Sequence, residues 1–164
     1  MEIENLKIAI IGGGNLGRSV ADGFLKAGIS ASKLTVSRRR VQLLDDLAVK
    51  GIRIEKDNRV AVAEADMIII AVKPYQAVEV ITEIKSVIKP GQLVASLMTG
   101  ISLSQLKELL PTGAIPLRVM PNTAVALQES MTMISAPDCS PEQNELVKEL
   151  FESLGKVILS LIHI

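Results

Sequence analysis

Several residue types are scarce in this chain of 164 residues, and each scarcity removes a class of reading. Cysteine occurs once, as Cys139, so an intramolecular disulfide is excluded and nothing supports a cysteine-built metal cluster. Histidine also occurs once, at His163 in the last residues, so the body of the chain offers no histidine for acid–base catalysis. No Ser/His/Asp set, HExxH pair or other proton-transfer motif replaces it. Tryptophan is absent, and there are only one tyrosine and two phenylalanines, which leaves Ile, Val, Leu and Ala to fill the core. That composition suits a parallel sheet with helices on both faces. Neither sign of charge is in excess, with 18 basic against 18 acidic residues, so there is no electrostatic case for nucleic acid or an anionic membrane. Apolar runs such as Met67–Val72 fall far short of the roughly 20 residues a membrane span needs. The first apolar run breaks into glycines and does not end in a cleavage signal. The expectation is one soluble, cytoplasmic α/β domain with a single core.

What is present begins at Ile8–Gly17, which reads Ile-Ala-Ile-Ile-Gly-Gly-Gly-Asn-Leu-Gly. A short apolar run enters the turn Gly12-x-Gly14-x-x-Gly17 and then the amphipathic segment Arg18–Ala27. Gly12 is expected to make the tight turn, Gly14 to let backbone approach a pyrophosphate, and Gly17 to allow close packing of helix on strand. The helix start then presents free N–H groups and the positive dipole end to phosphate oxygens. On a strand–turn–helix this pattern points to dinucleotide binding along Ile11, Gly12, Gly13, Gly14, Asn15, Leu16 and Gly17.

Strand patterns at Lys7–Ile11, Leu34–Ser37, Arg53–Ile54, Met67–Val72, Leu93–Ser96 and Leu117–Val119 alternate with helical patterns. The helices are expected at Leu16–Ala27, Arg39–Lys50, Arg59–Ala63, Tyr75–Ile88 and Leu103–Leu109. Alternation of this kind implies βαβ units, hence a Rossmann-like, doubly wound and mainly parallel sheet flanked by helices. After Pro121 the rhythm changes to a strand at Met131–Ser135, a helix capped by Ser140 with Pro141 at its first position and Gly155 as its stop, and a strand at Lys156–Ile158. The last six residues, 159–164, have a strand-like pattern but are also encodable by a transposon-end adapter of the type used to prepare sequencing libraries. They are expected to be a non-native tail beyond a domain at 1–158, which removes His163 from functional consideration.

The second expected strand ends in Ser37-Arg38-Arg39-Arg40, where an NAD site would carry an acid about 20 positions past the glycine turn. Arginines are poorly placed at a helix start unless an anion sits there. The ribose 2′-phosphate of NADP fits, held by the Ser37 hydroxyl and the forks of Arg38 and Arg39, and NAD is less favoured. The bland alternative is a solvated basic turn. Ala71-Val72-Lys73-Pro74 follows the strongest strand, where ligands of parallel sheets bind, with Lys73 either a cofactor contact or an exposed loop lysine. Asn58 either caps a short helix or faces the cofactor. Leu97-Met98-Thr99 follows the fifth strand, where the Thr99-Gly100 pair permits approach of a nicotinamide ring, and Asn122 after the sixth either orients substrate or caps a turn. Glutamates and aspartates are read as solvated helix faces, and Met98, Met120, Met131 and Met133 as core or loop packing.

Taken together, Ile11-Gly-Gly-Gly-Asn-Leu16, Ser37-Arg38, Asp57-Asn58, Ala71-Val-Lys-Pro74, Arg118-Val-Met-Pro-Asn-Thr123 and Gly155-Lys-Val157 resemble the pyrroline-5-carboxylate reductases. The resemblance implies NAD(P)H-dependent reduction of the imine 1-pyrroline-5-carboxylate to L-proline, the last step of proline synthesis. It also implies cofactor contacts along Ile11–Leu16, Ser37, Asn58, Ala71–Pro74 and Leu97–Thr99. Members of that family often carry alanine where this chain has Gly17, which reads as a harmless change at a packing position. Their C-terminal helical domain, which makes the dimer and most of the substrate pocket, has no counterpart here. The chain therefore resembles the cofactor half alone, able to hold NADP without turnover, with an apolar face left uncovered that favours homo-oligomers, a dimer or higher. The alternative resemblance is to a β-hydroxyacid dehydrogenase or a deazaflavin-dependent NADP reductase, which share the glycine turn but lack the AVKP and MPNT blocks.

Overall fold

The computed structural model describes residues 2–160. In chain order the elements are β1 (Ile8–Ile11), α1 (Asn15–Lys26), β2 (Leu34–Ser37), α2 (Asp45–Val49), β3 (Arg53–Glu55), α3 (Asn58–Val62) and β4 (Met67–Ile70). There follow α4 (Ala77–Ile84), β5 (Leu93–Ser96), α5 (Leu103–Leu109), β6 (Ile115–Met120), β7 (Ser130–Ser135), α6 (Pro141–Glu152) and β8 (Gly155–Leu159). The strands form one sheet in the order β3-β2-β1-β4-β5-β6-β7-β8. Every pairing from β3 through β6 is parallel, β7 turns antiparallel against β6, and β8 lies parallel to β7.

The apolar strands explain the double winding. In β1, Ile8 and Ile10 enter the core formed with Val20 and Phe24 of α1 and Leu146, Leu150 and Phe151 of α6. Ala9 and Ile11 enter the opposite core, against Val62 of α3, Val80, Ile81 and Ile84 of α4 and Leu106 of α5. β4 divides in the same way, Met67 and Ile69 against Ile68 and Ile70. A strand with no polar position has two faces to bury, and only helices on both sides satisfy it. The two phenylalanines of the chain, Phe24 and Phe151, meet edge to face with ring centroids 6.0 Å apart, tying α6 to α1.

Several boundaries differ from the sequence expectation. The stretch 39–50 is not one helix but a 3-10 turn at Val41–Leu44 followed by α2, because no side chain caps its start and arginines occupy the dipole's positive end. Likewise Tyr75–Ile88 becomes a 3-10 turn at Pro74–Gln76 followed by the shorter α4. β4 leaves the sheet at Ile70, although the Ala71 N–H still donates to Ile11 O at 2.8 Å. Gly155 does not stop α6, which ends at Glu152; it opens β8 with φ +138°, and a Cβ there would lie 2.1 Å from Ser130 O. Of the expected tail, Leu159 closes β8 and the Ser160 N–H donates to Ile134 O at 2.7 Å, while 161–164, His163 included, lie outside the described residues.

Candidate functional site

β1 and β4 are neighbours in the sheet, but the chain leaves β1 toward β2 on one side and β4 toward β5 on the other. This reversal opens a crevice beyond their carboxyl ends, where open parallel sheets take ligands. The glycine turn forms one wall. The N–H groups of Gly12 and Gly13 both donate to Ser37 O, at 3.2 and 2.8 Å, which lashes the turn to the end of β2. Gly12 has φ +103°, and a Cβ on it would meet Ala71 O at 2.8 Å. Gly13 is less constrained, since its φ is not positive and a Cβ would meet the terminal methyls of Leu44 at 2.8 and 2.9 Å, which can shift. Gly17 packs so tightly that a Cβ would lie 2.1 Å from Gly12 O. Alanine at that position is therefore not harmless here: it requires the Gly12 carbonyl to move.

Gly14 is different in kind. Its backbone (φ −78°, ψ −166°) is open to any residue, and a Cβ would find nothing within 4 Å. It is the N-cap of α1, without a capping side chain and without an acid in the first turn. By contrast, α5 and α6 start with Ser102 and Ser140, whose hydroxyls accept from the N–H of Gln105 and Gln143, both at 3.2 Å. The first N–H groups of α1, at Asn15, Leu16 and Gly17, thus face an open cradle with the positive end of the dipole behind them. A pyrophosphate fits this arrangement.

At the end of β2, the candidate residues adopt more specific roles than expected. Ser37 is fully buried and its hydroxyl donates to Asn58 Oδ1 at 2.6 Å, so it holds Asn58 and is not presented outward to an anion. Asn58 does not cap α3. Asp57 does, accepting from the Arg59 N–H at 2.9 Å and from the Arg59 guanidinium at 3.1 and 2.8 Å. That guanidinium holds the Asp57 carboxyl down to about 2. Asn58 is left to bridge elements, its Nδ2 donating to Glu83 Oε2 of α4 at 2.9 Å. Arg38 turns back to donate to Gly13 O at 2.7 Å, while Arg39 reaches across to Glu79 of α4 at 2.6 Å. Arg40 is exposed, with no side-chain partner among the described residues. Glu79 and Glu83 are exposed, as expected of a helix face, yet Glu79 also meets Arg39 beyond β2 and Glu83 meets Asn58 at the start of α3. They bring to the end of β2 the carboxylates that β2 itself lacks.

The remaining candidates divide. Asn15, Lys73, Pro74 and Thr99 are exposed around the crevice, and Leu16, Ala71 and Val72 are half-buried at its edge. The Lys73 N–H donates to Gln76 Oε1 at 3.3 Å. Leu97 and Met98 are buried in opposite cores, so only their backbone and the exposed Thr99 are left toward the crevice. Asn122 caps the 3-10 turn Thr123–Leu127, its Oδ1 accepting from the Ala124 N–H at 3.1 Å, which is the capping alternative. Met120, Met131 and Met133 are not core residues. By register they share one face of β6–β8 with Ile158, at 39%, 46%, 39% and 49% exposure. Arg118 lies on that same face, in register with the buried Ser96 and Ser135, and its own Nε is buried without a hydrogen-bond partner.

Other chemistry is thin. Burial, with Asp138 beside it, pushes the Cys139 thiol up to about 11, far from a thiolate nucleophile at neutral pH. Among the described residues no group of His, Cys, Asp and Glu is arranged to hold a metal, and no helix is long and apolar enough to cross a membrane. Two depressions lie away from the crevice, one on α6 along Glu142, Glu145 and Glu149 and one at the amino ends of β1–β3.

Residues 7–100 match the family described as NADP oxidoreductase, coenzyme F420-dependent. Over nearly the whole chain the similarity is to pyrroline-5-carboxylate reductases. That of Methanosarcina acetivorans is 35% identical over 159 residues, covering 95% of this chain and 59% of the relative. That of Vibrio alginolyticus is 35% identical over 160 residues, covering 94% and 58%. A solved pyrroline-5-carboxylate reductase from Coxiella burnetii superposes with a TM-score of 0.91 at 28% identity, over 96% of this chain and 59% of that one. The Plasmodium falciparum pyrroline carboxylate reductase, solved with NADP bound, gives 0.83 at 23% identity, over 96% and 58%, a likeness of fold. The chain thus spans less than three fifths of the length of these relatives. It belongs to the family of NADP oxidoreductases described as coenzyme F420-dependent, and its relatives along nearly its full length are the pyrroline-5-carboxylate reductases.

Proposed function

We propose that the chain binds NADP in the crevice between β1 and β4 and is the cofactor-holding part of an enzyme that reduces 1-pyrroline-5-carboxylate to L-proline. The observation that carries the binding half is the start of α1, a helix capped by Gly14 alone, with open space where a side chain would stand and no acid in its first turn. The pyrophosphate lies against Gly14, Asn15 and Leu16, with Gly12, Gly13 and Gly17 shaping the turn. Arg38, Arg39 and Arg40 surround the adenosine end and supply guanidinium donors for the 2′-phosphate of NADP, with Asn58, held from behind by Ser37, beside the ribose. Ala71–Pro74 forms the opposite wall, and Thr99 with the Leu97–Met98 backbone flanks the nicotinamide. Asn122 stands on the substrate side. When bound, NADPH supplies the hydride, and the residues of this chain bind and orient it.

The imine-reductase half rests on the relatives and on the Ala71–Pro74 and Arg118–Thr123 blocks. The family description, restricted to residues 7–100, favours a second reading, an NADP reductase dependent on a deazaflavin. The first reading is preferred because the pyrroline-5-carboxylate reductases match through Arg118–Thr123 and beyond. The open face of Met120, Met131, Met133 and Ile158, with the unsatisfied Arg118 Nε on the same side, supports coverage by further polypeptide or by association of copies. The test is a thermal shift of the chain with NADPH and separately with NADH. A ligand at about a hundred times its dissociation constant adds roughly 2.7 kcal/mol of stability. The larger rise is expected with NADPH, and Arg38→Ala with Arg39→Ala should reduce it to the NADH value. No rise with either cofactor would reject the site.

A further inference from the structure

The Arg39–Glu79 pair links two elements that the crevice separates, the turn after β2 and the first half of α4, across 40 residues of sequence. One turn further along α4, Glu83 accepts from Asn58, the residue that Ser37 holds at the end of β2. Glu79 and Glu83 are therefore aimed at the two groups that stand nearest the adenosine ribose in the proposed site. A phosphate monoester carries about −1.5 to −2 charges near neutral pH and takes its strongest contacts from guanidinium forks. A carboxylate 2.6 Å from Arg39 uses the donor that a 2′-phosphate would need, and stays behind as a like charge once Arg39 turns away.

We infer that Glu79 is a specificity-determining residue that competes with the ribose 2′-phosphate for Arg39 and thereby sets how strongly the site prefers NADP over NAD. This rests on the proposed binding of NADP in the crevice and adds to it the residue that opposes the preference. Both partners are largely exposed, at 73% and 65% of their side-chain surface, so the competition is modest. Exposed ion pairs contribute at most about 1 kcal/mol, which corresponds to roughly a fivefold change in a binding constant. The same exposure means that neutralising Glu79 leaves the fold intact, since no buried group loses a partner.

The experiment is equilibrium binding by titration calorimetry to the wild-type chain, Glu79→Gln, Arg39→Ala and the double variant. The probes are NADPH and NADH, with 2′,5′-ADP and 5′-AMP as fragments that differ by the 2′-phosphate. Glu79→Gln should bind NADPH and 2′,5′-ADP about two- to fivefold more tightly and leave NADH and 5′-AMP unchanged. On the Arg39→Ala background the gain should vanish, because nothing remains to compete for. An equal gain for both cofactors would mean general charge relief and would overturn the inference, as would weaker NADPH binding, which would make Glu79 a support for Arg39. The Arg39→Ala arm separates this from the underlying reading: if that variant binds NADPH as the wild type does, the 2′-phosphate assignment falls whatever Glu79 does.

Discussion

The glycine turn makes two neighbouring substitutions behave in opposite ways, and the difference can be worked out from the geometry. Gly12 sits at φ +103°, and an added Cβ would meet Ala71 O and C at 2.8 and 2.9 Å and Val72 Cγ1 at 2.9 Å. The first two contacts are backbone at the end of β4, hydrogen-bonded back to β1 through the Ala71 N–H, so they cannot yield cheaply. Strain of a side chain in that region costs about 1–3 kcal/mol and overpacking a further 1–3, giving roughly 2–6 kcal/mol for Gly12→Ala. For a domain of this size each kcal/mol moves the midpoint by about 2–4 °C, so a fall of roughly 4–24 °C is expected. Gly14→Ala meets no atom and no strain. Its reduced backbone entropy in the unfolded chain stabilises by about 0.4–1 kcal/mol, and the loss of a glycine cap offsets a similar amount. Its midpoint should lie within a few degrees of the wild type.

Binding should invert the order of harm. At Gly14 the new methyl occupies the cradle proposed for the pyrophosphate and holds it off the N–H groups of the first turn, so the thermal shift caused by NADPH should be lost. Gly12→Ala, destabilised but with the cradle intact when folded, should retain part of it. The assay is differential scanning fluorimetry of three proteins, each with and without cofactor. If Gly14→Ala keeps the full NADPH shift, the pyrophosphate does not lie where the helix start suggests. If it loses as much stability as Gly12→Ala, the turn is not built as described.

Two further outcomes follow from other parts of the molecule. Asp57 has its carboxyl lowered from 3.8 to about 2 by Arg59, so its contribution to stability is complete above pH 3.8 and is lost as the pH falls through about 2. Urea midpoints of wild type and Asp57→Ala should differ near neutral pH and converge on acidification, and a constant gap would assign the cap a role independent of its charge. The open face of β6–β8 should drive concentration-dependent association, visible in sedimentation velocity and reduced by Met133→Lys, whose side chain stands between Met120 and Ile158 in the sheet register. A wild-type chain that remains monomeric throughout a wide dilution series would show that this face is tolerated in water.

Most of the fold was legible because its signals are local. The runs Ile8–Ile11 and Met67–Ile70 have no polar position, so they had to be buried on both sides, and alternation with helical patterns then leaves few arrangements other than a doubly wound sheet. Boundaries failed where two weak local signals competed. At 39–50 and 75–88 the helical periodicity is real, but the first turn is 3-10 and the helix starts late, with no capping side chain at 39–50 and with Gln76 accepting from the Lys73 N–H at 75–88. By sequence Gly155 reads as a stop, because a glycine after a helix usually is one. Its actual constraint, the backbone of Ser130 at 2.1 Å from a Cβ, comes from a strand 25 positions away and leaves no local mark.

The same distinction explains what the site reading found and missed. Gly12, Gly14 and Gly17 were legible because their jobs belong to one turn, though the severity at Gly17 depends on how close Gly12 O comes. The Ser37 hydroxyl is expected to face an anion, but a hydroxyl at the end of β2 points inward or outward according to what α3 offers it, and here it donates to Asn58. Glu79 was missed because, on its own helix, it is an ordinary exposed residue between Val78 and Val80. Its meaning appears only when the sheet order sets β4 next to β1 and brings α4 over the turn after β2. The absence of an acid at the tip of β2 was read as evidence for NADP on the assumption that β2 alone furnishes that corner. The fold supplies Glu79 and Glu83 to the same corner from α4, so in the proposed NADP site the charge at that corner rests on residues that no single stretch of sequence contains.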